Sequence, residues 1–218
     1  IDGAGKKVTR SDNCRVSDLS VSSDNLTFTY EAKSLPYPID TSYYDNEKHT
    51  QADALSVIPF MDEMNYEGLS VSGLSDGYYG LTIGGEFIGR FTARELERGI
   101  NMALLQNTPQ YKQAMKIRQM NEERWLKERK MREFYWVEYN LMRKTGMLWA
   151  CDEAAVDTLR KYRPHDIFLQ WNGDLWLQYM HKGIREDCVN EQQDLVNQIY
   201  EQNKPIPLQI EIKKFTDL

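Results

Sequence analysis

The sequence has few of the residues that build disulfide-stapled or metal-dependent folds. Its 218 residues include three cysteines, Cys14, Cys151 and Cys188, and three histidines. Cysteines at such long spacings give neither a disulfide framework nor a C-x-x-C zinc pair, and no two histidines are spaced to share a helix face. A glycine-rich phosphate loop that opens a helix is also missing. We therefore expect no metal, no cofactor and a fold held by its own core.

Long apolar runs and an excess of basic residues are missing as well. No stretch approaches the roughly 18 apolar residues needed to cross a bilayer, so we expect no membrane span. The 27 Lys and Arg against 33 Asp and Glu give a net charge of -6, which argues against nucleic acid as a partner. The first residues include neither an initiating Met nor a signal-peptide core, and we expect the chain to begin inside a longer protein.

The first half of the chain contains short β-type runs separated by turn residues, such as 26–30 and 54–60. The clearest pattern covers 68–91, where apolar and polar residues alternate. Asp76-Gly77 and Gly84-Gly85 supply two-residue turns there, because such turns require a positive φ that glycine adopts at no steric cost. This pattern predicts a three-stranded meander.

Helical signals begin after residue 91. Thr92 and Glu95 have the spacing of a capping box, which predicts a helix start. Thr108 and Pro109 give a second start, with Thr108 as N-cap and Pro109 at the first helical position. After Pro109, the sequence has no Gly or Pro up to Thr145. We predict one helix, on the order of 50 Å long, that ends at Gly146.

These patterns predict an α+β fold. An antiparallel β-sandwich-like unit is expected at 1–95, and a helical region with one long helix at 96–218. Further helices are expected near 154–162 and within 166–200, while alternation at 206–212 predicts a final strand. The charge distribution agrees with two domains, because the first segment has about 8 basic and 15 acidic groups and the second about 19 and 18.

The one string with a catalytic pattern is a literal G-x-S-x-G around Ser75. A nucleophile elbow leads from a strand into a helix, whereas the residues after Ser75 read as a strand, so a hairpin turn is the better interpretation. His165 lies beside Asp166 at a predicted helix start, which favours capping over acid–base chemistry. We therefore assign no catalytic residue.

Aromatic side chains are the other candidates for function. Their rings can stack on sugar rings or contact another domain, although aromatics at helical spacing are more often core anchors. Pairs such as Glu123 with Lys127 and Glu128 with Arg132 indicate that the charged long helix is solvated. The candidate ligand or interdomain contacts are Trp125, Trp136, Trp171 and Trp176.

Residues 76–96, DGYYGLTIGGEFIGRFTAREL, followed by GINMA at 99–103 and TPQY at 108–111, carry a family resemblance. They resemble the region that follows the catalytic domain in bacterial GDSL-like (SGNH-type) lipases and acylhydrolases. The resemblance is best over 54–114 and extends more weakly over nearly the whole chain. Members of that family have their catalytic Ser in a Gly-Asp-Ser block and their His in an Asp-x-x-His block, and the sequence contains neither.

The resemblance implies a non-catalytic C-terminal accessory region of an ester hydrolase, with the catalytic domain as its partner. It also implies a secreted or periplasmic parent. A carbohydrate-binding or other interaction module is the alternative, suggested by the β-rich half and by the 13 Tyr and 5 Trp. A scaffold that oligomerises through the long helix is a third hypothesis.

Overall fold

A computed structural model describes residues 1–42 and 48–215. The chain forms two compact units. We call Ile1–Arg118 with Gln202–Leu218 the β unit, and Gln119–Glu201 the helical unit. Strands give way to helices near residue 95, and that position as a domain boundary stays a prediction.

The elements follow the predicted order of strands first and helices second. The strands are β1 (Cys14–Val21), β2 (Asn25–Ala32), β3 (Gly68–Leu69), β4 (Tyr78–Ile83), β5 (Glu86–Thr92), β6 (Ile100–Asn101) and β7 (Leu208–Lys214). The α-helices are α1 (Phe60–Glu63), α2 (Ala93–Arg98), α3 (Pro109–Val137), α4 (Glu153–Tyr162), α5 (Ile167–Tyr179) and α6 (Lys182–Gln202). The α+β class is confirmed.

The β unit contains a five-stranded sheet in the order β1-β2-β7-β4-β5, in which all neighbours are antiparallel. The last strand in the sequence, β7, lies at the centre of the sheet between β2 and β4. It lies near 206–212, where alternation predicted a strand. A separate ladder joins β3 to β6, and the sandwich-like pairing of two sheets stays a prediction.

One of the two predicted hairpin turns joins neighbouring strands. Ile83 pairs with Glu86, so Gly84 and Gly85 form a two-residue turn between β4 and β5. Both glycines have positive φ, at 59° and 84°, as such a turn requires. The three-stranded meander is wrong in its first strand, because β3 pairs with the distant β6 rather than with β4.

The prediction of a β-type run at 54–60 is also wrong. Its first part lies in the 3₁₀ helix Gln51–Ser56, and its last residue begins α1. A capping box between Thr50 and Asp53 starts the 3₁₀ helix, with the Thr50 amide donating to Asp53 Oδ2 at 2.6 Å. Local capping therefore prevailed over the apolar composition of this segment.

The helices start where the sequence predicted, whereas the long helix ends before the predicted position at Gly146. Thr92 caps α2, and α3 begins at Pro109. The α-helix ends at Val137 and continues as a π-helix, Glu138–Met142, before the chain turns at Gly146, whose φ is 76°. In the predicted helical segment 166–200, the break falls between α5 and α6.

Each unit has its own hydrophobic core. In the β unit the inner strands contribute Leu26, Phe28, Leu81, Ile210 and Ile212, each no more than 1% exposed. The helical unit is built around a second set of fully buried side chains, Phe134, Val137, Met142, Leu159 and Trp176.

Candidate functional site

Two of the four candidate tryptophans lie on α3. Trp125 is 48% exposed, and the Arg132 guanidinium lies 5.7 Å from its ring centroid. The charged side chains around it pair as predicted, since Lys127 and Arg132 lie 3.8 and 3.9 Å from Glu123 and Glu128, respectively. This part of the helix therefore has a solvated, ion-paired surface around one exposed tryptophan.

Trp136 and Trp171 are brought together by a third ring. The Phe168 ring lies 5.2 Å from Trp136 and 5.5 Å from Trp171, measured between centroids. Phe168 is 48% exposed and Trp171 is 67% exposed. Asp166 fixes this start of α5, because its carboxylate accepts hydrogen bonds from the amides of Phe168 and Leu169. We call Trp136, Phe168 and Trp171 the Trp171 surface.

Trp176 lies in a different environment. Its side chain is fully buried in the core of the helical unit. Its indole Nε1 donates to Glu138 Oε1 at 2.7 Å, and Glu138 itself is only 1% exposed. Trp176 thus holds the unit together from inside, and the Trp171 surface does not include it.

The same carboxylate holds an aromatic residue that the sequence analysis missed. The Trp149 amide donates to Glu138 Oε2 at 2.9 Å. Trp149 is 45% exposed, and the ring centroids of Tyr135 and Tyr139 lie 6.0 and 6.2 Å from its own. The i, i+4 spacing of the two tyrosines was the available signal, because it places two rings on one helix face.

The sequence also did not predict a buried acid in the β unit. Glu67 lines a pocket of about 800 Å³. Tyr30 Oη donates to Glu67 Oε1 at 3.0 Å, and Gln110 Nε2 donates to the same oxygen at 3.2 Å. Burial raises the pKa of Glu67 to about 7, although these two hydrogen bonds act to lower it. The side chain therefore changes charge near neutral pH.

The G-x-S-x-G string occupies a loop, and its Ser75 lies before strand β4. Lys214 Nζ donates to Ser75 Oγ at 2.7 Å, and Tyr79 Oη donates to the Ser75 carbonyl at 2.9 Å. His165 ends the short 3₁₀ helix Arg163–His165 and is exposed. Ser75 is therefore outside the strand-to-helix setting of a nucleophile elbow.

Within residues 1–42 and 48–215, no three His, Cys, Asp or Glu side chains are grouped so that they could hold a metal ion. None of the helices in these same ranges is both long and apolar enough to cross a membrane.

Two comparisons with known proteins found a match. Residues 115–204 match the family model described as diltiazem deacetylase C-terminal helical domain. The chain is also similar to the solved structure of BT4096, a gut microbial diltiazem-metabolizing enzyme, with 35% sequence identity and a TM-score of 0.91. That match covers 99% of this chain and 49% of the enzyme. A search of curated proteins finds no match. The chain is thus similar, over nearly its whole length, to about half of that enzyme.

Proposed function

We propose that this chain is the non-catalytic C-terminal accessory region of a serine ester hydrolase that removes acetyl or other acyl groups. The observation that carries the proposal is the similarity of nearly the whole chain to half of a diltiazem-metabolizing enzyme. The family model adds the words deacetylase and C-terminal for residues 115–204. Removal of an acetyl group is the chemistry that the word deacetylase describes.

The SGNH/GDSL type of the parent is part of the same proposal. It rests on the resemblance of 76–96 and the segments that follow to the tails of such enzymes. In that chemistry a serine attacks the ester carbonyl, a histidine moves its proton and oriented donors stabilise the oxyanion. The Gly-Asp-Ser and Asp-x-x-His blocks are missing from these 218 residues, so the proposal places the catalytic groups in the other half of the parent.

The Trp171 surface is the proposed contact with that catalytic half. Phe168 and Trp171 expose large apolar rings beside Trp136. Clusters of exposed aromatic rings are typical of surfaces that bind a partner, because covering them removes apolar area from water. Trp125 is a second proposed contact, at a separate place on α3.

The accessory role is tested with the longer protein that contains this chain. Its hydrolysis of 4-nitrophenyl acetate and butyrate is compared with that of a version cut before residue 1. We expect the longer protein to be active and the shortened one to lose activity or stability. Equal rates and equal melting temperatures for the two would contradict an accessory role.

A further inference from the structure

A pocket in the helical unit has no place in the proposed accessory role. It has a volume of about 810 Å³ and lies beside α3, the segment that follows Gly146, and α6. Its aromatic lining is Tyr135 and Trp149, and the first turns of α6 contribute Asp187 and Asn190. We call it the Trp149 pocket.

The backbone at Trp149 is held in a strained conformation. Its φ is 65°, a left-handed value that costs a bulky residue on the order of 1 kcal/mol or more. The buried Glu138 carboxylate compensates by accepting the Trp149 amide, while its other oxygen accepts Trp176 Nε1. Glu138 begins the π-helix Glu138–Met142, an irregularity that occurs frequently at functional sites. Several unusual features thus combine to fix one indole.

Packing also fixes the indole ring. The fully buried Phe134 ring lies 6.4 Å from it at an interplanar angle of 30°, so one face of the indole is turned toward the core. Tyr135 and Tyr139 meet it edge-on, each at 86°. The exposed part of Trp149 is therefore a rigid apolar platform. Binding of a ligand carries no entropic cost for ordering this side chain.

The polar side chains of the pocket differ in their availability. Lys182 pairs with Glu186 at 3.2 Å, and Arg185 donates at 2.7 Å to the carbonyl oxygens of two residues at the end of α5 and just beyond it. Asp187 and Asn190 are exposed on α6. Their side chains have no hydrogen-bond partner in the part of the chain that the structure describes. A carboxylate and an amide are thus open beside the platform.

We infer that the Trp149 pocket binds a pyranose ring of a carbohydrate. The apolar C–H face of the sugar lies on the Trp149 indole, where dispersion and weak C–H contacts stabilise it. Its hydroxyls donate to the Asp187 carboxylate and both donate to and accept from the Asn190 amide. This inference is independent of the proposed ester hydrolysis, because it requires no catalytic domain.

The test is a titration of the 218-residue chain with soluble oligosaccharides, which include gluco-, xylo-, manno- and chito-hexaoses. Binding is followed by tryptophan fluorescence and by calorimetry. Trp149→Gly removes the ring while glycine accepts the positive φ, and Asp187→Ala changes an exposed side chain. We expect each to weaken binding by about tenfold or more. Tyr200→Ala removes an exposed ring outside the pocket, so it is the matched control and leaves affinity unchanged.

Three results would overturn the inference. One is the absence of binding across the panel by the folded chain. Another is binding that survives both Trp149→Gly and Asp187→Ala. The third is saturable binding of a flat aryl compound such as 2-naphthol without any oligosaccharide binding, which would make the pocket an apolar ring site. None of these involves an ester, so they are separate from a failure of the proposed function.

Discussion

Glu138 accepts the indole Nε1–H of Trp176 across 2.7 Å in the core of the helical unit, where both side chains are at most 1% exposed. The other Glu138 oxygen accepts the Trp149 amide at 2.9 Å. One buried carboxylate therefore joins the π-helix, α5 and the strained Trp149 turn. A buried donor without an acceptor is costly, so the local structure depends on this side chain.

Glu138→Ala should destabilise the chain by about 3 kcal/mol, because the buried Trp176 indole and the partly buried Trp149 amide lose their acceptor. Glu138→Gln keeps one acceptor oxygen and should cost less. Urea denaturation followed by circular dichroism measures both. Glu123→Ala, at an exposed ion pair of 3.8 Å, is the control and should change stability by less than about 1 kcal/mol. Equal stability of wild type and Glu138→Ala would rule out this account of the carboxylate.

Glu67 should make stability depend on pH. Its pKa of about 7 in the folded chain lies above its ordinary value of 4.5, so the folded chain keeps a proton that the unfolded chain loses. The stabilising contribution is therefore fully present below pH 4.5 and is lost as the pH rises to about 7. The loss amounts to about 3 kcal/mol.

Glu67→Gln has no proton to lose and should remove that dependence. The difference in unfolding free energy between wild type and Glu67→Gln, measured from pH 4.5 to pH 8, should shift by about 3 kcal/mol in favour of the variant. Glu63→Gln, at an exposed position on α1, is the matched control. A constant difference between wild type and Glu67→Gln over this range would contradict the raised pKa.

Thr92 should contribute about 1 kcal/mol through its cap of α2. Its Oγ1 accepts from the Glu95 amide at 3.2 Å, and its own amide donates to Glu95 Oε2 at 2.7 Å. Thr92→Ala removes the first of these bonds and should lower the free energy of unfolding by that amount. Glu97→Ala, an exposed change on the same helix, should have little effect. Equal losses from both substitutions would show that the cap itself contributes nothing.

The Trp171 surface should matter only when the catalytic half is present. In the isolated chain Trp171 is 67% exposed, so Trp171→Ala should change stability by less than about 0.5 kcal/mol. In the longer protein the same change should remove a buried contact and cost about 2 kcal/mol. Tyr200→Ala, at a 75% exposed position, should be neutral in both. Thermal melts of both proteins check this, and a neutral Trp171→Ala in the longer protein would contradict the docking proposal.

The sequence predicted features that depend on near neighbours. Two helix starts were predicted from capping residues, Thr92 with Glu95 and Thr108 with Pro109, because a cap acts within one helical turn. Gly84 predicted a tight turn, because glycine can adopt the positive φ that such a turn requires. These signals are local in the chain, and the structure contains each of them.

The remaining features depend on distant partners. The alternation of apolar and polar residues at 68–91 did not indicate that β3 pairs with β6 instead of continuing a meander. The platform at Trp149 depends on Glu138 and, through it, on Trp176, which lies 38 residues from Glu138. Periodicity also could not separate the exposed Trp171 from the buried Trp176, because apolar side chains lie all around α5 and its pattern marks no single buried face.

The most direct test of the central claim is steady-state hydrolysis of 4-nitrophenyl acetate by the isolated, folded 218-residue chain beside the longer protein. The account predicts that the isolated chain does not exceed the buffer rate, while the longer protein turns over the ester. Turnover by the isolated chain that is abolished by Ser75→Ala or His165→Ala would contradict the claim, because the catalytic groups would then lie within this chain.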